Sequence, residues 1–234
     1  MGNARAQGKH AGLTREQVLR AALRLVDQEG AGALSMRRLA RELDVEAMTL
    51  YHHVRNKQML EDAIIEHVLA EALPNAEALS DAESRSGDQA AAPWQTVLAH
   101  YANALHRALA THPNCVPLIA SRPAITTRNL IQLEHLLRIL TDAGFTPQVA
   151  LRMVHATAAS VVGQHLARPA DAAEANAAGE LDADELPLVR EALATGFPTV
   201  EARFTLVLDA LITGFERLLG EQGARPDRAP RDSG

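Results

Sequence analysis

The chain has 234 residues, of which 47% are hydrophobic and 3% aromatic, and it carries a formal net charge of −6 at pH 7. This length is enough to bury a sizeable core, and it predicts one large domain or a small domain joined to a larger one. No run of about 18 apolar residues occurs and the N-terminus lacks the apolar segment of a signal peptide, which together predict a cytoplasmic protein. The single cysteine, Cys115, excludes an internal disulfide and is expected to be a buried structural thiol.

Charge is divided unevenly along the chain. Residues 1–60 hold ten Lys and Arg against six Asp and Glu, a balance of +4, whereas the remainder holds 13 basic against 23 acidic side chains, a balance of −10. Such asymmetry predicts a small basic head that meets a polyanion and an acidic body with a different role.

Apolar residues recur with helical periodicity along the whole chain, which predicts an all-α fold. In the head, Thr14 and Gln17 form a capping-box pattern at the start of a first helix, and Gly30 ends it. Ser35 is expected to cap a second, shorter helix. The apolar stripe of the first helix consists of Val18, Ala21, Ala22, Leu25 and Val26.

A third short helix is predicted within VEAMTLYHHVRNK, residues 45–57, with Leu50 and Val54 as its anchors to the core. Asn56 is then expected to cap a fourth helix that runs to about Leu73. Two short helices joined by a tight turn are typical of a helix-turn-helix, whose second helix enters a DNA groove. The alternative is a solvated polar face on an ordinary three-helix bundle.

The sequence gives little support to two further function classes, a metal-binding protein and an enzyme. His52 and His53 suggest a metal site, but adjacent helical side chains point about 100° apart and no third ligand follows at i+4. The sequence contains no nucleophile elbow, Walker loop, dinucleotide fingerprint or HExxH pair. We therefore expect no catalytic residue, no cofactor and no metal ligand.

The chain is predicted to have a flexible N-terminus at 1–12, a DNA-binding head at 13–60 and a body at 61–219 that binds an effector and dimerises. Polar, Ala-rich composition predicts mobile segments at about 74–92 and 167–187, and a disordered tail at 220–234. Helices of the body are predicted to start at Trp94, at about Gln132 and at Pro147, and a further helix is expected near the end of the chain.

Residues 13–70 resemble the N-terminal domain of the tetracycline-repressor family of bacterial transcription regulators. The likeness is carried by ALRLVDQEGAGALSMRRLARELDVEAMTLYHHVRNKQMLEDAI, and it continues into the body. There it is similar to the ligand-binding domain of the tetracycline-repressor branch, in SRPA (121–124), LEHLLRILTDAGF (133–145), VVGQHL (161–166), LPLVREAL (186–193) and LITGFERLL (211–219). The resemblance implies a homodimeric repressor that binds a palindromic operator in double-stranded DNA and responds to a small molecule.

The resemblance also implies where the operator is contacted. By their chemistry, Thr49, Tyr51 and Lys57 offer donors to phosphate, while Ala47, Met48 and His52 are expected to contact base edges or thymine methyls. Ala47, Met48 and His52 depart from the glutamine, proline and tryptophan of the family's pattern, so the operator sequence is expected to differ while the docking mode does not. The expected DNA-binding residues are Arg37, Ala47, Met48, Thr49, Tyr51, His52, His53 and Lys57.

In the resembling repressors the body encloses a magnesium-chelated tetracycline. Here Leu118 stands where the family has its magnesium-ligating histidine, and Leu73, Tyr101 and Leu136 replace a histidine, an asparagine and a glutamine, so that chelate is not expected. A largely apolar, aromatic or polyketide-like effector is expected instead. Its predicted contacts are Tyr101, Leu105, Leu118, Ser121, Leu133, Leu136, Leu151, Val154, His155 and Ala158. The alternative is that these leucines simply fill a core.

The last helix places apolar residues at heptad spacings. Spacing alone favours internal core, whereas the resemblance favours a dimer interface shared with the small residues near 156–163. The expected interface residues are Ala159, Gly163, Phe204, Leu208, Leu211, Phe215 and Leu218. A DNA-binding regulator without a small-molecule effector and an enzyme are the alternatives to this function.

Overall fold

A computed structural model of the chain describes residues 12–72, 93–122, 126–167, 186–194 and 196–223. Within these ranges the chain forms α-helices and short 3-10 helices and no β-strand, which confirms the predicted all-α fold. None of the described helices combines the length and apolar content that crossing a bilayer requires. Most of the segments predicted to be mobile, nearly all of the N-terminus and most of the tail lie outside the described residues.

The helices of the head are α1 to α4, and those of the rest of the chain are α5 to α10. Helices α1 to α4 span Arg15–Glu29, Met36–Glu42, Ala47–Tyr51 and Lys57–Ala72, with a 3-10 helix at Ala31–Ala33. The later helices span Trp94–Thr111 (α5), Val116–Ser121 (α6), Thr127–Asp142 (α7), Pro147–Leu166 (α8), Pro187–Leu193 (α9) and Val200–Gly223 (α10), with a second 3-10 helix at Pro113–Cys115.

Two sequence predictions about helix ends are wrong. Helix α7 begins at Thr127, five residues before the predicted start at Gln132, because Thr126 caps it by accepting a hydrogen bond from the Asn129 amide. Helix α10 continues to Gly223, so the first residues of the tail predicted to be disordered are helical.

Side-chain caps fix the starts of the head helices as the sequence predicts. The Thr14 hydroxyl accepts a hydrogen bond from the Gln17 amide at 3.2 Å, and the Gln17 side chain accepts one from the Thr14 amide at 2.8 Å. Ser35 and Asn56 accept hydrogen bonds from the amide three residues further on, at the starts of α2 and α4. Each such cap contributes about 1 kcal/mol and sets where the chain enters the helix.

The core of the head is built from the predicted apolar residues. All five residues of the α1 stripe are at most 3% exposed. Leu50 on α3 is 0% exposed and Val54, just beyond α3, is 5% exposed. Since burying a large aliphatic side chain is worth about 1.5–3 kcal/mol, these two anchors hold the short α3 helix against the head core.

The turn between α2 and α3 closes with a Schellman motif. The Val45 amide donates to the Ala40 carbonyl at 3.0 Å, and the Asp44 amide donates to the Arg41 carbonyl at 3.3 Å. Asp44 has φ of 53° and is the non-glycine residue with positive φ among those described. Asp tolerates this left-handed conformation better than most residues, so the turn is made without glycine.

The chain divides into two compact units. One comprises residues 1–91 and 103–135, and the other comprises 92–102 and 136–234. In the first unit α1 packs against α2, α4 and the second 3-10 helix, while α4 packs against α6. The head is therefore not an isolated bundle. The functional boundary predicted between residues 60 and 61 stays a prediction.

In the second unit, the predicted end of α7 at Gly144 is confirmed. Gly144 has φ of 106°, and a Cβ there would lie 3.3 Å from Leu219 Cδ1, so both backbone conformation and space favour glycine. The Phe145 amide donates to the Leu140 carbonyl, which closes a second Schellman motif. The Phe145 ring meets Trp94 edge to face at 5.1 Å. In the same unit α8 packs along α10.

Candidate nucleic-acid interface

Helix α3 is anchored on one side and open on the other. Leu50 is fully buried, whereas Met48 is 69% exposed and Tyr51 is 44% exposed. His52 is also exposed, and Ala47, Thr49 and His53 are half-buried. Because the anchored side fixes the orientation of the helix, the outward side chains are presented in a defined arrangement, as a helix that reads a DNA groove requires.

A concavity between α2 and the start of α3 brings together two residues that were predicted from separate helices. Arg37 and Ala47 both line this space of about 540 Å³. The residues that line it include two arginines, Arg37 and Arg41, and two acidic residues, Asp44 and Glu46, so the formal charges of the lining residues balance. Contacts made at this surface would depend on the placement of individual donors more than on net charge.

Two adjacent arginines on α2 have different surroundings. Arg38 Nη2 lies 2.5 Å from Glu29 Oε1, and this hydrogen bond, together with the charge of Glu29, raises the pKa of Arg38 above its ordinary value. That ion pair ties α2 to the end of α1. Arg37 is exposed and lines the concavity instead. Both arginines are visible in the sequence, but only the structure distinguishes their positions.

Lys57, a predicted phosphate contact, belongs to a chain of ion pairs at the start of α4. Its Nζ lies 3.4 Å from Glu61 Oε1. Arg122, which directly follows α6, places Nη1 2.6 Å from Glu61 Oε2 and Nη2 2.9 Å from Asp62 Oδ1. This network could not be predicted from the sequence, because Arg122 and Glu61 are 61 residues apart.

Comparison with known proteins identifies this architecture. Residues 18–64 match the profile of bacterial regulatory proteins of the tetR family, and residues 86–219 match the tetracyclin repressor-like C-terminal domain. The chain belongs to the TetR family of bacterial regulatory proteins. The tetracycline repressor protein class E of Escherichia coli is 34% identical over 223 residues, which cover 92% of this chain and 97% of that protein.

Solved TetR-family structures agree with this assignment. The apo structure of ActR from Streptomyces coelicolor superposes with a TM-score of 0.73 at 25% identity, covering 89% of this chain and 97% of that one. A variant of TetR from Acinetobacter baumannii AYE, in complex with minocycline, superposes with a TM-score of 0.62 at 30% identity, covering 89% of this chain and 99% of that one. The predicted family and its N-terminal helix-turn-helix, formed here by α2 and α3, are confirmed.

The residues predicted to contact the effector are divided between the two compact units. Leu105, Leu118, Ser121 and Leu133 belong to the first unit, and Tyr101, Leu136, Leu151, Val154, His155 and Ala158 belong to the second. Leu105, Leu118, Leu136 and Val154 are buried in the single chain, whereas Leu151 and His155 are exposed. The Ser121 hydroxyl donates to the Leu118 carbonyl at 2.9 Å. Leu73, one of the family positions occupied by leucine, lies outside the described residues.

The predicted interface residues differ in exposure. Phe204, Leu208 and Phe215 are only 6–8% exposed within the single chain, so their side chains pack internally, as their spacing alone favours. Ala159, Gly163 and Leu218 are exposed and Leu211 is half-buried. Leu206, which is not among the predicted interface residues, is 71% exposed on α10.

The structure also assembles a polar cluster that the sequence analysis missed. His112 Nδ1 lies 3.0 Å from both carboxylate oxygens of Asp27, and Cys115 Sγ lies 3.7 Å from Asp27 Oδ1. Burial, followed by the charge of Asp27 and its hydrogen bond, raises the pKa of the Cys115 thiol to about 12. The spacing His112-x-x-Cys115 was the available signal, but Asp27 is 85 residues from His112.

The phenol of Tyr101, a predicted polar contact of the effector, is expected to lose its proton only at high pH. Burial raises its pKa to about 12, compared with about 10 for a free phenol. The unfolded chain therefore loses its proton first as pH rises. The stability gained by keeping this phenol neutral is fully present below about pH 10 and falls by about 2–3 kcal/mol as pH approaches 12. Ultraviolet titration of Tyr51→Phe, which leaves Tyr101 as the one tyrosine, measures the midpoint. A midpoint near 10 in the folded protein would contradict the burial of this hydroxyl.

Proposed function

We propose that this protein is a homodimeric transcriptional repressor that binds a palindromic operator and is released from it by a small, largely apolar effector. The observation that carries the proposal is that α3 is anchored on one side and exposes its other side to solvent. Leu50 fixes the helix, while Met48, Tyr51 and His52 extend outward beside the exposed Arg37. Such a helix fits the major groove of B-DNA, which is wide enough to admit it.

The effector would release the operator by changing the distance between the two recognition helices. In a two-fold dimer, the recognition helices must enter successive major grooves about 34–36 Å apart. An effector that favours another spacing lowers operator affinity, and a coupling free energy of about 1–3 kcal/mol changes that affinity about 5- to 150-fold. The ion pairs of Arg122 with Glu61 and Asp62 offer a physical connection from the residue after α6 to α4, which begins at Lys57.

Arg37 and Arg38 provide a matched test of the DNA-binding surface. They are consecutive, carry the same charge and lie on the same helix. Because Arg37 faces the concavity and Arg38 is held by Glu29, Arg37→Ala should weaken operator binding by about 1–3 kcal/mol, while Arg38→Ala should leave it close to wild type. Affinities would be measured by fluorescence anisotropy on an operator selected from random duplexes. Equal losses in both variants would point to unspecific charge attraction and contradict the assignment.

The support for dimerisation comes from glycines and exposed apolar residues on helices α8 and α10. A Cβ added at Gly163 on α8, or at Gly214 on α10, would meet nothing within 4 Å in the single chain. Glycine within a helix costs about 1 kcal/mol relative to alanine, and the chain's own packing does not require it at either position. Close approach of a partner helix would explain both glycines. The exposed Leu206 and Ala159 lie on the same two helices.

Gly163→Leu separates folding from association. The single chain has room for the added side chain, so the fold should be retained. A close helix pair should lose about 1–3 kcal/mol of association free energy through overpacking. Sedimentation equilibrium measures the dissociation constant, with Gly32→Leu as the control because that glycine also has open space but lies in the head. A monomeric wild type at micromolar concentration would rule out the dimer. Changes at Phe215 would not separate folding from association, since it is buried within one chain.

The proposed effector class rests on the apolar character of its candidate contacts. Leu118 and Leu136, which stand where the resembling repressors have a magnesium-ligating histidine and a glutamine, are both 6% exposed. Leucine provides no ligand for a hard cation, whereas apolar walls gain affinity from buried area. A relative that is 30% identical was solved with minocycline, which supports a polycyclic ligand for this chain also.

Calorimetry with aromatic and polyketide compounds, each with and without magnesium, tests this effector class. We expect binding that does not depend on magnesium and that releases the operator in the anisotropy assay. Tyr101→Phe removes one hydroxyl while keeping the ring, so it should weaken binding by about 0.5–1.5 kcal/mol if the phenol orients the ligand. Tetracycline binding that requires magnesium would overturn the proposal, as would a set of ligands dominated by anions or sugars.

A further inference from the structure

Asp27, His112 and Cys115 place a carboxylate, an imidazole and a thiol around one point. Their nearest ligand atoms all lie within 4.8 Å of one another. Asp27 belongs to the last turn of α1, His112 directly follows α5, and Cys115 ends the 3-10 helix that packs on α1. All three residues are in the first compact unit, so the cluster is defined within a single body of the protein.

Two of the three ligand–ligand distances are close to those around a tetrahedral metal ion. Bonds of about 2.0–2.3 Å from Zn²⁺ to oxygen, nitrogen and sulfur place neighbouring ligand atoms about 3.3–3.6 Å apart. The observed separations are 3.0 Å from His112 Nδ1 to the carboxylate oxygens and 3.7 Å from Cys115 Sγ to Oδ1. Shifts of a few tenths of an ångström would bring these two pairs to the tetrahedral separation, while the third pair, His112 with Cys115, lies within 4.8 Å and would have to close to the same range.

The hydrogen bonds among the three groups occupy few of the acceptor sites of the Asp27 carboxylate. Both Asp27 oxygens lie 3.0 Å from the same Nδ1, yet an imidazole nitrogen donates only one proton. The thiol at 3.7 Å is a weak donor. A cation bound between these groups would satisfy the carboxylate more fully than one shared N–H. The Asp27 side chain is 28% exposed, which gives an ion a path from solvent.

We propose that Asp27, His112 and Cys115 bind Zn²⁺, with water as the fourth ligand. Thiolate and imidazole select zinc over magnesium or calcium, which prefer oxygen ligands. The Asn114 side-chain amide donates to the Asp27 carbonyl at 2.7 Å and so holds the α1 backbone beside the 3-10 helix. The site goes beyond the proposed function, because it adds a second input to α1, the first helix of the DNA-binding head.

Metal binding can be measured on the reduced, chelator-treated full-length chain without DNA. Cobalt(II) should give the visible bands of a tetrahedral site and a thiolate-to-cobalt charge-transfer band in the ultraviolet, and zinc should displace it. Cys115→Ser keeps size and hydrogen bonding but removes the thiolate, so it should lose the charge-transfer band and at least about 100-fold in zinc affinity. His112→Gln should lose affinity similarly. His100→Gln, which alters an exposed histidine of α5, should bind zinc as the wild type does.

The spectrum of the wild type alone decides whether the thiol is a ligand, even if a variant fails to fold. Absence of a thiolate band would overturn the site, and so would unchanged zinc affinity in folded Cys115→Ser. Zinc should also raise the melting temperature of the wild type and leave that of Cys115→Ser unchanged. These measurements involve neither operator nor effector, so their failure would leave the proposed repressor function standing.

Discussion

The burial of Leu50 is the constraint on which the DNA-binding surface depends. Helix α3 is only five residues long, and a helix of this length does not persist in water by itself. Its position must come from tertiary contacts, which the buried side chains of Leu50 and Val54 provide. The Schellman turn at Asp44 then sets the direction in which the chain enters α3. A loss of either the anchor or the turn would displace every outward side chain together.

Sequence patterns predicted the head well because its decisive signals are local. The caps at Thr14, Ser35 and Asn56 each join residues three positions apart, and the α1 stripe repeats with the helical period. The missed features depend on distant residues or on very short elements. Helix α6 has six residues, too few to establish a period. Arg122 and Glu61 are 61 residues apart in the sequence, and His112 and Asp27 are 85 residues apart. A single sequence does not show that residues so far apart are in contact.

The body shows a different limit of periodicity. A heptad stripe indicates that one face of a helix is buried, but it does not indicate whether the same chain or a partner chain buries it. On α10 the stripe residues Phe204, Leu208 and Phe215 are covered within the same chain, while Leu206 is exposed on the opposite side of the helix. The family resemblance predicts a dimer interface on this helix, and that part stays a prediction, since a resemblance of helices does not separate the inward from the outward face. Side-chain exposure makes that separation.

The segment from His112 to Arg122 is joined to the head by polar contacts at both ends. At one end His112 meets Asp27 on α1, and at the other Arg122 meets Glu61 and Asp62 on α4. Apolar contacts tolerate small sliding movements, whereas hydrogen bonds weaken steeply once donor and acceptor leave their preferred distance and angle. A displacement of this segment would therefore either carry α1 and α4 with it or break a pair. The breaking of a pair is a discrete event, and discrete changes of contact are what distinguish the two states of a switching protein.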